Sequence, residues 1–226
     1  MSWIVQIDTA LETAIVSLAF KGKLVAEQRS FSQKDHASFL QPAIAKLIKE
    51  AGITLQQISA VAVVDGPGSY TGLRVGMASS KGLCYALNKP LVTINSLKLL
   101  AATAKSTISN LQENELICPM IDARRMEVFT AVYNANLEIV LAPCAMELSK
   151  LSFDSLIKNK KMYFLGNGST KWAAICPEKN GAFVHVDTNS LIISELAWVK
   201  YLSESFASIA YAVPTYLKDF YTTMLP

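Results

Sequence analysis

An α/β protein of two lobes, each opening with an antiparallel meander, is what this sequence predicts, and three observations predict it. The chain has 226 residues, 51% hydrophobic and only 17% charged, enough to bury two cores of about 100 residues each. Its apolar pattern switches in each half from the period of two that strands require to helical spacing. A polar stretch from Ser106 to Glu115 lowers the apolar density between the halves, as a boundary does. The lobes are therefore placed at residues 1–106 and 107–226, and the last segment has the option of packing back on the first lobe.

In the first half, Trp3, Val5 and Ile7 alternate, as do Ala14, Val16, Leu18 and Phe20, and a third run covers residues 24–31. Lys21-Gly22-Lys23 is short and glycine-centred, so the second and third runs form a hairpin. Leu40, Ala43, Ile44, Leu47, Ile48 and Ala51 then follow helical spacing, with Gly52 as the stop and Pro42 expected to bend the first turns. Ala60 to Val64 is apolar on both faces, the pattern of a strand buried inside a layered sheet. After a glycine-rich loop, residues 73–87 read as a helix closed by Asn88 and Pro90, with Arg74 and Lys81 its only charges. So apolar a helix needs cover on a second side, from its own domain or from another chain. Leu91 to Ile94 is a strand and Ser96 to Lys105 a helix.

The second half repeats the opening. Residues 116–121, 126–133 and 137–142 read as strands, with turns at Asp122-Ala123-Arg124-Arg125 and Asn134-Ala135-Asn136. Lys161 to Leu165 is a further strand that ends in Gly166-Asn167-Gly168. Residues 191–207 form the last strong helix, and an aromatic tail begins at Pro214. Two lobes with one plan suggest duplication and an actin-like (ASKHA, ribonuclease-H-like) fold.

A formal charge of +3 permits contact with nucleic acid without demanding it. The first residues lack a basic leader and no apolar run approaches the ~18 residues of a membrane span, so no membrane is expected and the cytoplasm is the expected location. Cys84, Cys118, Cys144 and Cys176 stand far apart with no metal-binding spacing, and read as reduced, mostly buried thiols.

Gly66, Gly68 and Gly72 lie between a buried strand and a helix, with Ser69, Tyr70 and Thr71 among them and Arg74 just beyond. Thr71 is placed as the N-cap, and the loop's N–H groups could face an anion. Glycines and Pro67 shaping a tight turn explain the spacing equally well. The loop lacks the lysine of a P-loop, and Pro67 and Thr71 break the nucleophile-elbow pattern around Ser69. His36 and His185 lack helical metal-site spacing, and His36, beside Asp35 at a helix start, reads as a capping or surface group. Asp8 ends the first strand, but Leu11 and Glu12 follow where a phosphate would need a glycine, so a nucleotide site there would be degenerate. Arg124 and Arg125 could bind a phosphate or a carboxylate, or form a solvated turn.

Several of these stretches together, Ile7-Asp8-Thr9, Gly66-Pro67-Gly68-Ser69-Tyr70-Thr71-Gly72-Leu73-Arg74-Val75-Gly76, Asp122-Ala123-Arg124-Arg125-Met126-Glu127-Val128-Phe129, Gly166-Asn167-Gly168 and Pro214-Thr215-Tyr216-Leu217, resemble the bacterial TsaB (YeaZ) family through nearly the whole chain. Met126 stands where the family commonly has glycine, and Lys218 where arginine is common. The resemblance implies a two-lobed actin-like scaffold in N6-threonylcarbamoyladenosine (t6A) synthesis at tRNA position 37, with no catalytic residue, cofactor or metal of its own. It implies a heterodimer with the catalytic transferase subunit TsaD, whose metal-binding histidines are missing here, and recruitment of the ATPase TsaE. It also implies tRNA contact only through the complex, and a homodimer when the chain is alone.

In that family the first two helices of the first lobe make a four-helix contact with the partner. On this chain that surface falls on Phe39, Leu40, Ala43 and Leu47 of the first helix, and on Gly72, Leu73, Gly76, Met77, Ser79 and Ser80 of the second. Gly76, Ser79, Ser80 and Gly82 would let another helix approach closely, and Gly76→Trp is expected to block association with the fold intact. The alternative is an ATP-dependent kinase or hydrolase using the inter-lobe cleft and Asp8. A protease is the third reading, without a nucleophile constellation to support it.

Overall fold

The computed structural model describes residues 2–177 and 181–218. Strands β1 (Trp3–Asp8), β2 (Ala14–Phe20) and β3 (Lys23–Ser30) form the expected meander. Phe20 pairs with Lys23 across two left-handed residues, Lys21 (φ 50°) and Gly22 (φ 77°), the turn whose twist matches paired strands. Strands β1 and β2 are buried on both faces, which the alternation did not indicate, whereas the edge strand β3 is part-exposed along its length. Gln6 and Ser17 occupy the polar positions, yet both are buried. Gln6 Oε1 accepts from the hydroxyls of Ser17 (2.7 Å) and Ser194 (3.1 Å), so a second layer of helices covers that face without stranding the acceptor.

Helix α1 (His36–Glu50) runs through Pro42 and ends where Gly52, at φ +66°, closes it. Gly52 N donates to Lys49 O and Ile53 N to Ile48 O, the paired bonds that satisfy a helix's last carbonyls. Strand β4 (Ile58–Gly66) leads to α2 (Tyr70–Leu87), which ends by the same device, with Asn88 left-handed at φ 51° and Lys89 N on Cys84 O. Strand β5 (Leu91–Asn95) delivers Asn95 as the N-cap of α3 (Ser96–Thr107), its side chain accepting from Leu97 N and Lys98 N.

The second half follows with β6 (Leu116–Asp122), β7 (Glu127–Asn134), β8 (Ile139–Glu147), α4 (Asp154–Ile157), β9 (Met162–Leu165), α5 (Ser169–Ala173), β10 (Gly181–Phe183) and α6 (Ser190–Leu202). The first sheet has the order β3-β2-β1-β4-β5 and the second β10-β9-β6-β7-β8. Read from its meander edge the second order is that of the first, and β4, β5, β9 and β10 join in parallel in both. The two halves therefore share one topology, the two-lobed actin-like arrangement.

Four clusters fill the layers between sheets and helices. Residues of α1 and α2 pack one face of the first sheet around Val5, Leu47, Val63 and Met77. The other face meets α3 and α6 through Leu99, Ile192, Ile193 and Ala197. Helix α3 also turns Leu97, Leu100, Ala101 and Ala104 to the second sheet, so it is buried nearly all round. The outer face of the second sheet holds Phe153, Phe164 and Trp172.

Several boundaries differ from the expected ones. Helix α6 stops at Leu202, short of 207, because Glu204 turns left-handed at φ 54° and Ser205 N caps Lys200 O. Strand β8 spans Ile139–Glu147 because Leu137, at φ 61°, belongs to the preceding turn. Elements α4, α5 and β10 are three to five residues long, too short to show a period. Beyond α6 the chain returns along the first lobe, with Ala207 N on Leu91 O and Lys81 Nζ donating to the carbonyls of Ala210 (3.3 Å) and Ala212 (2.9 Å). Of the aromatic tail, residues 214–218 are described and 219–226 lie outside the described residues. No described helix is long and apolar enough to cross a membrane.

Candidate functional site

The loop from Gly66 to Gly72 is built around the turn that follows β1. Ser69 N donates to Ala10 O at 2.7 Å, and Thr9 Oγ1 donates to Gly72 O at 2.7 Å. A Cβ on Gly68 would sit 2.2 Å from Ala10 O, and one on Gly72 would sit 2.1 Å from Thr9 O. The glycines thus permit backbone to lie on backbone. They are spent inside the first lobe. Ser69, and not Thr71, is the N-cap of α2: its Oγ accepts from Gly72 N at 3.3 Å, and the helix begins at Tyr70. Thr71 is exposed and already the second residue of the helix, two positions too far along to cap. Ser69 N and Gly72 N, two of the N–H groups expected to face an anion, already have acceptors within the chain.

Gly76 continues the same face, with a Cβ there meeting Thr9 Oγ1 at 2.3 Å and Ile7 and Val63 at 3.6 Å. Gly76→Trp would therefore disrupt the lobe, contrary to the expectation that the fold survives it. Of the residues expected at a partner surface, Leu40, Ala43, Leu47, Gly72, Leu73, Gly76, Met77 and Ser80 are buried in their own lobe, whereas Phe39 and Ser79 are partly exposed. The open side of α2 carries Thr71, Arg74, Ala78, Gly82, Tyr85 and Ala86. Tyr85 is 84% exposed, and a Cβ on Gly82 would meet nothing within 4 Å.

Asp8 is fully buried. Its Oδ1 accepts from Ala10 N at 2.9 Å, holding the turn from its own strand end. Burial pushes the carboxyl up to about 6, against the Ala10 N–H and the Arg29 charge, which both favour the anion. A carboxyl whose folded pKa is raised favours folding least once it ionises. Stability therefore falls as pH rises from about 4 to about 6 and then levels. Asp8→Asn keeps the oxygen that accepts from Ala10 N, and is expected to remove this slope and to raise stability at pH 7 by on the order of 2–3 kcal/mol. Thermal melts of both proteins at pH 4.5 and 7 check it: equal differences at the two pH values would refute the assignment.

Between the sheets lies a cavity of about 730 Å³, lined among others by Leu11, Glu12, Arg29, Leu100, Asn167 and Phe183. Its position is that of a cleft between lobes, but its chemistry is poorly suited to polyphosphate. Arg29 is held bidentately by Glu27, at 2.7 and 3.2 Å. Glu27, also bonded by the Ser190 hydroxyl, is held below the usual carboxylate range. Leu11 and Glu12 stand where phosphate would approach. The sequence pointed to Leu11 and Glu12, but not to Arg29 or the α5 residues Ser169 and Thr170, which lie in unrelated stretches.

His36 is buried at 2% exposure, with Nε2 3.0 Å from Glu12 O. It is neither cap nor surface group: it ties the start of α1 to the β1–β2 turn. His185 is exposed, 3.3 Å from Asp187. Cys84 and Cys118 are buried, with thiols pushed up to about 11 and about 12 by burial, while Cys144 and Cys176 are half-buried. Among the described residues, no three His, Cys, Asp or Glu side chains converge.

In the second lobe the same construction recurs. Gly168 N donates to Met120 O, and a Cβ on Gly166 would meet that oxygen at 2.4 Å. Arg124 and Arg125 are exposed and both left-handed, at φ 71° and 48°. The last described segment packs back on the first lobe, the option the sequence offered, and also reaches the second lobe. Thr215 N donates to Asp65 O at 2.7 Å, Tyr216 packs on Tyr70 at 5.5 Å, and Lys218 pairs with Glu127. The Pro214-Thr215-Tyr216-Leu217 stretch was the available signal, but nothing local says where it docks.

Residues 25–222 match the family model described as TsaD: tRNA N6-adenosine threonylcarbamoyltransferase. The tRNA threonylcarbamoyladenosine biosynthesis protein TsaB of Bacillus subtilis is 29% identical over 95% of this chain and 93% of its own length. The protein of the same name from Haemophilus influenzae is 29% identical over 94% of this chain and 92% of its own. Among solved structures, YeaZ from Pseudomonas aeruginosa superposes with a TM-score of 0.78 at 23% identity, over 96% of this chain and all of that one.

Proposed function

This chain belongs to the family described as TsaD: tRNA N6-adenosine threonylcarbamoyltransferase, as a member of the TsaB (YeaZ) type that serves t6A biosynthesis on tRNA, and we propose that it is a non-catalytic subunit. In this reading it pairs with a catalytic transferase subunit of the TsaD kind, supports recruitment of the ATPase TsaE, meets tRNA position 37 within that assembly, and works in the cytoplasm. Alone, it forms a homodimer through the same face.

The observation that carries the reading is the open side of α2, where Ala78, Gly82 and Ala86 surround an 84%-exposed Tyr85. Small residues let a partner helix come close, and an exposed aromatic at such a place is a usual anchor. Phe39 and Ser79, both partly exposed, extend it toward α1. The plugged β1–β2 turn and the neutralised Arg29 support the absence of catalysis by this chain.

The test is reconstitution with unmodified tRNA, ATP and an activated threonylcarbamoyl donor. The transferase subunit with TsaE, this chain alone, and all three together are assayed for t6A. Product is expected only from the full set. Product from this chain alone would overturn the reading. The second reading, an ATP-dependent enzyme, has only the size and place of the 730 Å³ cavity behind it, and magnesium-dependent ATP turnover by the isolated chain, lost in Asp8→Ala, would establish that instead.

A further inference from the structure

One surface combines cations with exposed aromatic rings. At the start of α2, the Arg74 guanidinium lies 5.0 Å from the Tyr70 ring centre and bonds its hydroxyl. Tyr70 packs on Tyr216, and two residues later Lys218 pairs with Glu127. Glu127 N donates to Arg124 O at 3.1 Å. The last described segment therefore links the α2 start to the β6–β7 turn, about 50 residues further along the chain, in one run of contacts.

That turn is costly to make. Two successive non-glycine residues in the left-handed region cost about 1 kcal/mol or more each. The turn is held by Arg124 N on Asp122 Oδ1 at 2.6 Å and Ala123 N on Glu127 O at 3.1 Å. Its two strained positions carry exposed arginines where asparagine or glycine would be easier. Across the surface stand Arg74, Arg124, Arg125, Lys171 and Lys218, against Asp122, Glu127 and Glu147. Lys171 pairs with Asp122 at 2.7 Å and Lys218 with Glu127, so the two nearest acids are matched by lysines and the arginines carry the excess. Tyr70 is 44% exposed and Tyr216 39%.

We propose that this surface, Arg74–Tyr70–Tyr216–Lys218 with the Arg124–Arg125 turn, contacts RNA directly, arginines on phosphates and tyrosine rings against unpaired bases. The proposal rests on the t6A reading above, and extends it from tRNA held through a partner to tRNA touched by this chain. Guanidinium groups suit phosphate geometry, and aromatic rings accept any base. An acidic protein face would use the arginines but not the rings.

Binding of unmodified tRNA is measured by fluorescence anisotropy over a salt series, for the chain alone and for its complex with the transferase subunit. The variants are Arg124→Gly with Arg125→Gly, which relieves the strained turn instead of endangering the fold, and Arg74→Ala. Each phosphate contact contributes about 0.7–0.9 to the slope of log affinity against log salt. The double glycine variant is expected to lower the slope by about 1.5 and to weaken binding roughly tenfold at low salt, with Arg74→Ala lowering the slope by about 1. Unchanged slopes in both variants would overturn the proposal. So would loss of transferase association with tRNA binding preserved, which would make the face a protein contact. Failure of the unaltered chain to pair with the transferase would sink the function reading alone, because slopes on the isolated chain still judge this surface.

Discussion

Gly72→Ala is expected to destabilise the first lobe by about 3 kcal/mol, at the upper end of what overpacking costs. The new methyl would sit 2.1 Å from Thr9 O, and neither group can move alone. Gly72 lies in the first turn of α2, and its own carbonyl accepts from Thr9 Oγ1. Thr9 is tied to Ala10, whose carbonyl holds Ser69 N. Shifting α2 outward would therefore cost the Thr9 and Ser69 bonds together and open the packing of Leu73 and Met77. For a chain of this size the loss corresponds to a fall in melting temperature of roughly 6–12 °C. Calorimetry on the purified variant checks it, and a melting temperature within 2 °C of the parent, a margin set at about 1 kcal/mol, would show that the glycine face is not tightly packed.

The same geometry explains what could be read in advance. The doubled plan was legible because the strands and helices of both halves carry readable apolar patterns and several stop at glycine or asparagine, α1 before Gly52, α2 at Asn88, β7 at Asn134 and β9 before Gly166. The glycine loop was legible as a special place but not as to its purpose. Glycines spaced four apart, Gly68, Gly72 and Gly76, suit a helix approached by another helix or by the chain's own backbone. Only the position of Thr9 and Ala10 separates the two. His36 was misread for a related reason: its partner, Glu12 O, lies 24 residues away, and a histidine at a helix start carries no local sign of burial. The surface around Tyr216 depends on contacts between residues far apart in sequence, which no motif encodes.

Gly82 is the counterpart of Gly72, a glycine whose missing side chain faces open space on the same helix. Nothing lies within 4 Å of a Cβ placed there, so a larger residue fits without strain and should gain up to about 1 kcal/mol of helix preference. An indole at Gly82, beside Ala78 and Ala86, would hold any partner helix away from the face around Tyr85. Loss of close packing at the centre of an interface costs about 3 kcal/mol or more, which is over 100-fold in affinity. The direct measurement is therefore the dissociation constant of the complex between the TsaD-type transferase subunit and Gly82→Trp, taken beside the unaltered chain with melting temperatures recorded for both. The account predicts an equally or more stable chain whose affinity for the transferase falls at least about 100-fold. A variant as stable as the parent that binds the transferase with unchanged affinity would contradict docking through the open side of α2.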